Sequence, residues 1–267
     1  MMIFLASLYF VLGLCIASFS NVLIYRMPVI AIKKQKAKEG IDVGEIESIS
    51  FPSSHCQNCL TPLKWYHNIP VFSWLFLGGK CAFCKSKISI QYPIIELLGG
   101  LFMLVGFFIE VGSFNYLELF KALIIGTLFI ILLAMSIIDL RYTAAPDELL
   151  YTSVVLALLY SFSLKGITDA LIIAGIFTLL ALIVSLIKRR FAMGSADIFI
   201  FAAMGAVLGL NLAFIAIFIA AIVSLPAFFI AAQKDYELPF IPFLSFGLFV
   251  TYSLEMQILD ILNQIYG

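Results

Sequence analysis

Stretches of about twenty consecutive apolar residues recur along almost the whole chain, and they constrain its folding more than anything else in the sequence. Roughly 20 apolar residues in a helix cross the hydrocarbon core of a bilayer, where every backbone polar group must be satisfied internally. Eight segments fit: about 3–25, 94–112, 118–138, 148–164, 168–187, 197–211, 213–232 and 240–263. The fourth and sixth are short, and only Gly209 and Asn211 separate the sixth from the seventh, so seven or nine spans are also compatible. Composition points the same way: 63% of residues are hydrophobic and 12% charged, with a mean hydropathy of +1.10. Soluble domains are about half apolar and about a quarter charged. The expected fold class is an all-α polytopic membrane protein with about eight transmembrane helices.

Basic residues orient the spans. Met1 and Met2 lead directly into apolar sequence with no basic flank, which predicts a retained first span and not a cleavable signal peptide. The segment from Arg26 to Tyr92 carries nine of the sixteen Lys and Arg residues and is expected in the cytoplasm. Alternation then places Arg141, Lys188 to Arg190 and Lys234 on the same side, against Lys121 and Lys165 opposite, an even span count with both ends outside. Three parts result: a first transmembrane helix at 1–25, a cytoplasmic insert at 26–92 and a transmembrane helical domain at 93–267. The insert opens with "KKQKAKEGIDVGEIESIS", read as a solvated arm whose lysines set topology and meet lipid headgroups, with cargo recognition as the alternative. A net charge of zero says nothing about partners; membrane lipid is expected as one, and nucleic acid is not.

Within the insert, "HCQNC" and "CAFC" set Cys56 and Cys59, then Cys81 and Cys84, in two CxxC pairs separated by 21 residues. Each pair offers two thiolates from one tight turn, and two turns complete a tetrahedral four-sulfur site for structural Zn²⁺. Disulfides fit poorly in a reducing cytosol, and redox chemistry needs only one pair. A metal held by four sulfurs has no open position, so it shapes an insert too small for much core of its own. His55 adjoins the first knuckle as a spare ligand, and Trp65, Tyr66 and Trp74 are expected as interfacial aromatics or insert core.

Three carboxylates fall on the cytoplasmic boundary: Asp139 ends the third span, Asp147 begins the fourth and Asp197 begins the sixth. Asp147, after Pro146, suits a helix first turn, where the dipole favours acids. Ser195 can cap the helix that holds Asp197. Asp139 lacks such an explanation, because the C-terminal end of a helix opposes negative charge and Arg141, two residues on, points elsewhere. Two carboxylates in one restricted site share a proton, one drawing a proton from water while its partner polarises a carbonyl. Gly194, Ser195 and Ala196 would let the chain approach a substrate or neighbouring helix closely. From the residues alone, an aspartyl hydrolase at the membrane boundary and a proton-coupled carrier fit nearly equally.

The chain resembles the bacterial type IV prepilin peptidases, the prepilin leader peptidase/N-methyltransferases. The resemblance lies in "ASFSNVLIYRMP", in the cysteine insert with its "NIP" and "YPIIELL" elements, in "IDLRYTAAPDELL" and in "LPFIPFLSFGLF", in that order over most of the chain. It implies a zinc-ribbon-like insert and a catalytic pair of Asp139 and Asp197, supported by Asp147 and Gly194. The family's Gly-x-Gly-Asp element aligns with Gly194, Ser195, Ala196 and Asp197, so Ala196 replaces a glycine, and Phe199 stands where a lysine usually follows. An inactive relative that binds precursors as an assembly factor is the reading these two changes motivate. The implied substrates are prepilin or pseudopilin precursors, cut between a basic cytoplasmic leader and a lipid-buried helix at the bacterial inner membrane. Glu45, Glu47 or anionic lipid are candidates to meet that leader. The resemblance also implies N-methylation of the new amino terminus from S-adenosylmethionine, for which "ELLGGLF", with Glu96, Gly99 and Gly100, is the first place to look.

Overall fold

The computed structural model describes residues 1–44, 48–49, 51–188, 194–230 and 238–266. Glu45, Glu47, Arg189, Arg190 and Lys234 lie outside the described residues, as does the side chain of Lys188. Nine α-helices follow in order among the described residues: α1 (Met2–Lys38), α2 (Phe72–Phe76), α3 (Gln91–Glu110), α4 (Tyr116–Tyr142), α5 (Asp147–Ser161), α6 (Leu164–Lys188), α7 (Ser195–Ile230), α8 (Ile241–Ser253) and α9 (Glu255–Tyr266). The described residues form no β-strand, only two isolated bridges in the insert. The chain divides into two compact units, Met1–Ile130 and Ile131–Gly267, with the boundary inside α4.

Each apolar segment read from the sequence forms helix over most of its described residues, but the helices differ from the expected spans in length. α1, α3, α4, α6 and α7 are long and apolar enough to cross a bilayer, and the pair α8–α9, bent by 74°, makes a sixth span if counted as one. The segment at 148–164 yields only the 15 residues of α5, about 22 Å of helix against the roughly 30 Å of a bilayer core. It ends where Phe162 turns left-handed at φ 40°. The segments read at 197–211 and 213–232 run together, as far as Ile230, in the 36-residue α7, interrupted at Gly209, whose φ of 72° and ψ of 175° are non-helical. α1 continues past Arg26 to Lys38, because the Lys, Gln and Ala that follow the apolar run are good helix formers. The Lys-rich piece therefore begins as helix and becomes irregular after Lys38.

In the first unit, α1 and α3 approach closely through small residues. A side chain on Gly13 would strike the Gly99 carbonyl, and one on Gly100 would meet the Phe10 ring. Gly106 and Gly126 do the same for α3 against α4. Between helices in lipid, close backbone approach supplies the attraction that water cannot. In the second unit, α7 is the central element, flanked by α5, α6 and α8. Phe177 stacks on Phe201 at 4.1 Å, and Gly247 lets α8 close on Ala216 of α7. α6 turns Leu171, Leu179, Leu182 and Leu186 outward, each more than half exposed, a face that lipid satisfies.

Candidate active site and metal centre

α4 and α7 bring two acids together within the second unit. Asp139, three residues before the end of α4, is buried, and its Oδ2 accepts a 3.2 Å hydrogen bond from the backbone N–H of Ile241. Ile241 opens α8, with Pro242 following, so negative charge on Asp139 meets the positive end of a helix. The "LPFIPF" stretch thus builds the helix start that receives Asp139. One turn away, Ser136 donates to Ser245 at 3.3 Å, fixing the register of α4 on α8. Asp197 lies in the first turn of α7, its N–H bonded to the Gly194 carbonyl at 3.2 Å. Asp139 and Asp197 are near enough for their charges to repel.

The remaining sequence candidates fall in different places. Asp147 is exposed at the first residue of α5, after Pro146 in extended conformation, which is the helix-start position its sequence suggested. Gly194 is exposed, and a side chain there would only touch Asp197 Oδ2 at 3.5 Å. Ala196 is part of α7 and not among the positive-φ residues, so it demands no glycine geometry. Phe199 packs edge-on against Tyr151 of α5 at 5.5 Å, an apolar contact in place of a cation. Sequence reasoning passed over Asp169, a buried carboxylate in α6. Its backbone lies against Gly205, and its Oδ2 would sit 3.4 Å from a side chain at Gly209, the interruption of α7. The available signal was an acid at the edge of an apolar run.

The four predicted cysteines converge. All four Sγ atoms lie within 4.8 Å of one another, close enough to hold one metal ion. The two knuckles repeat the same backbone. Leu60 N–H donates to the Cys56 carbonyl at 2.8 Å and Lys85 N–H to the Cys81 carbonyl at 3.1 Å. Leu60 and Lys85 are both left-handed, at φ 56° and 62°. Cys56 N–H and Cys81 N–H then close their turns on Thr61 and Ser86. The Ser86 hydroxyl, 3.1 Å from Cys84 Sγ, is the main influence holding that thiol down to about 5. His55 turns its Nδ1 to the Ser53 carbonyl instead of the cluster. Trp74 is insert core, donating to the Ile88 carbonyl and lying against Gly79, whereas Trp65 is exposed.

Between α1, the insert and α3, wholly within the first unit, lies a cavity of about 850 Å³. Arg26 ties the insert to α1, its buried guanidinium donating to the carbonyls of Ile49 at 2.8 Å and Pro52 at 2.7 Å. Glu96 is buried at the cavity wall and accepts the Val71 N–H at 2.7 Å. Val71 presents that N–H from the centre of a γ-turn, φ 62° and ψ −53°, closed by the Phe72 N–H on the Pro70 carbonyl at 2.6 Å. Gly99 and Gly100 face α1 instead of this space.

A multi-pass helical membrane protein with two converging acids in one unit and a four-cysteine metal knuckle in the other is the class these features define. Residues 11–109 match the bacterial peptidase A24 N-terminal domain, and residues 124–229 match the type IV leader peptidase family. The chain is 34% identical over 254 residues to a type 4 prepilin-like proteins leader peptide-processing enzyme of Escherichia coli, covering 91% of each chain. It is 36% identical to a prepilin leader peptidase/N-methyltransferase of Neisseria gonorrhoeae, over 81% of this chain and 79% of that one. A protein with the same description from Vibrio cholerae is 32% identical, over 76% and 78%. No solved structure matches. The chain belongs to the type IV leader peptidase family, and is an enzyme of a multi-pass inner-membrane kind.

Proposed function

We propose that this protein removes the basic leader from prepilin or pseudopilin precursors at the cytoplasmic face of the bacterial inner membrane. It then N-methylates the new amino terminus with S-adenosylmethionine as donor. The observation that carries the peptidase half is the meeting of Asp139 and Asp197 at the ends of α4 and α7. Asp139, faced by the Ile241 N–H and the start of α8, is the carboxylate suited to carry the charge and take a proton from water. Asp197, its protonated partner, polarises the scissile carbonyl. The resulting hydroxide adds to that carbonyl carbon, and the tetrahedral adduct collapses as the leaving amine takes a proton from the pair. Asp147 supports the site by starting α5, which packs on α7. Gly194 keeps the approach to Asp197 free of a side chain.

The metal in the knuckle is Zn²⁺ in a structural role. The 3.8 Å between Cys56 and Cys84 Sγ matches the edge of a tetrahedron with Zn–S bonds of about 2.3 Å. Four sulfur ligands leave no position for substrate, so no step of the cleavage involves the ion. The inactive-relative reading loses its motive because Ala196 is helical and Phe199 has a packing partner.

The test is mass spectrometry of a pilin-type precursor incubated with the purified protein and S-adenosylmethionine. Wild-type protein yields the shortened chain carrying one added methyl group. Asp139→Asn and Asp197→Asn each slow leader removal by at least about a hundredfold, the range for loss of a general acid or base. Normal processing by either variant would remove that residue from the mechanism.

A further inference from the structure

We infer that α2 is a membrane-docking wedge: Phe72, Leu75 and Phe76 dip into the boundary between headgroups and acyl chains of the adjacent leaflet, while lysines of the insert bind its anionic phosphates. This role is independent of what the protein cuts or methylates.

α2 sorts its side chains between two surroundings. Trp74 points inward, donating to the Ile88 carbonyl and lying against Gly79. Phe72, Leu75 and Phe76, spaced as one helix face, are 55%, 59% and 87% exposed. Trp65, in the short turn that α2 contacts, is also exposed. So many bare apolar side chains on so small an insert mark a surface that something apolar covers.

The fold sets α2 at membrane depth. Val71, just before α2, donates its N–H to Glu96, five residues into α3, or about 8 Å along that helix. α3 is long and apolar enough to cross a bilayer, and its Ile94, Leu97 and Leu101 are exposed to the lipid around it. α2 thus starts level with the second turn of a spanning helix. Headgroups add about 5–7 Å to each side of the hydrocarbon core, so this level is the polar boundary of the leaflet.

Charge selects the occupant. Residues 48–95 contain Lys64, Lys80, Lys85 and Lys87, all exposed, and no Asp or Glu. Four thiolates on Zn²⁺ carry a charge of about −2, so the segment stays positive with the metal bound. A second copy of this surface, or a basic peptide, would be repelled, whereas an anionic leaflet attracts it. Long lysine stems let the ammonium groups reach phosphate while the wedge sits lower.

The full sequence has two tryptophans, Trp65 and Trp74, both in the insert, so intrinsic fluorescence of the full-length protein reports this region alone. Trp65→Phe combined with Phe76→Trp moves the exposed reporter to the tip of α2. The test places this protein in nanodiscs of phosphatidylcholine, with or without phosphatidylglycerol, with metal content and melting temperature as folding controls. In anionic nanodiscs, lipid brominated high on its acyl chains should quench the tip at least about twofold, and more than lipid brominated near the bilayer centre. Aqueous acrylamide should reach the tip about threefold less well in anionic than in zwitterionic nanodiscs, and Lys80→Gln with Lys85→Gln and Lys87→Gln should erase that difference. Leu75→Asp in the reporter protein should abolish quenching by brominated lipid. A tip open to acrylamide and untouched by brominated lipid in anionic nanodiscs would overturn the proposal. A tip shielded from both would overturn it in favour of a protein partner, a second copy included. Equal quenching with and without phosphatidylglycerol would overturn the part given to the lysines.

Discussion

Asp139 shows how one residue's surroundings reverse the logic of its own helix. At the C-terminal end of α4 a carboxylate is disfavoured, yet the start of α8 returns a backbone N–H to it at 3.2 Å. The sequence marked Asp139 as the acid lacking a local explanation, and that mark was useful, but the partner lies 102 residues away and no local rule names it. The two departures at 196 and 199 resolve at this scale as well. Ala196 sits in a helical first turn, where glycine is the poorer choice. Ala196→Gly should therefore keep leader cleavage within a few-fold and lower stability by about 0.5–1 kcal/mol, read as a drop in the melting temperature of the purified protein. A large gain in cleavage rate would instead mean that the site needs glycine freedom at this position. Asp169 teaches the converse: a buried acid in an apolar run stood unremarked in the sequence until the interruption at Gly209 was found against it.

At the scale of elements, the apolar runs predicted helices and could not fix their lengths. Hydropathy reports which residues tolerate lipid, while helix ends follow from capping and main-chain geometry. α1 outlasts its apolar run, α5 stops short at a left-handed Phe162, and α7 joins two expected spans through Gly209. "ELLGG" carried a second ambiguity. Its acid lines the cavity while its glycines serve contact with α1. Gly99→Leu should separate α1 from α3 and cost about 1–3 kcal/mol, the range for overpacking a close contact. Thermal unfolding in detergent measures the loss. Unchanged stability would mean that the α1–α3 contact is loose enough to absorb four carbons.

For the molecule as a whole, the metal knuckle joins α1 and α3 in chain order and forms one wall of the cavity, so its integrity bears on the first unit beyond the insert. Removing the proposed Zn²⁺ with a chelator should expose the stretch between Lys38 and Gln91 to proteolysis, because so small an insert depends on metal binding for folding free energy. Limited digestion with and without chelator measures this, and equal resistance would reduce the ion to an ornament.

Everything that depends on residues adjacent along the chain was legible beforehand: helices in place of strands, a membrane as solvent, two CxxC turns able to share an ion, and acids at the edges of apolar runs. These follow from transfer free energies and ligand chemistry, which act residue by residue over a few turns of chain. Which acids meet, which helix start answers Asp139, and how α1, the insert and α3 enclose space beside Glu96 were decided by tertiary structure alone. The groups involved are brought together by helix packing, and packing depends on the shapes of whole faces and not on any one stretch of sequence.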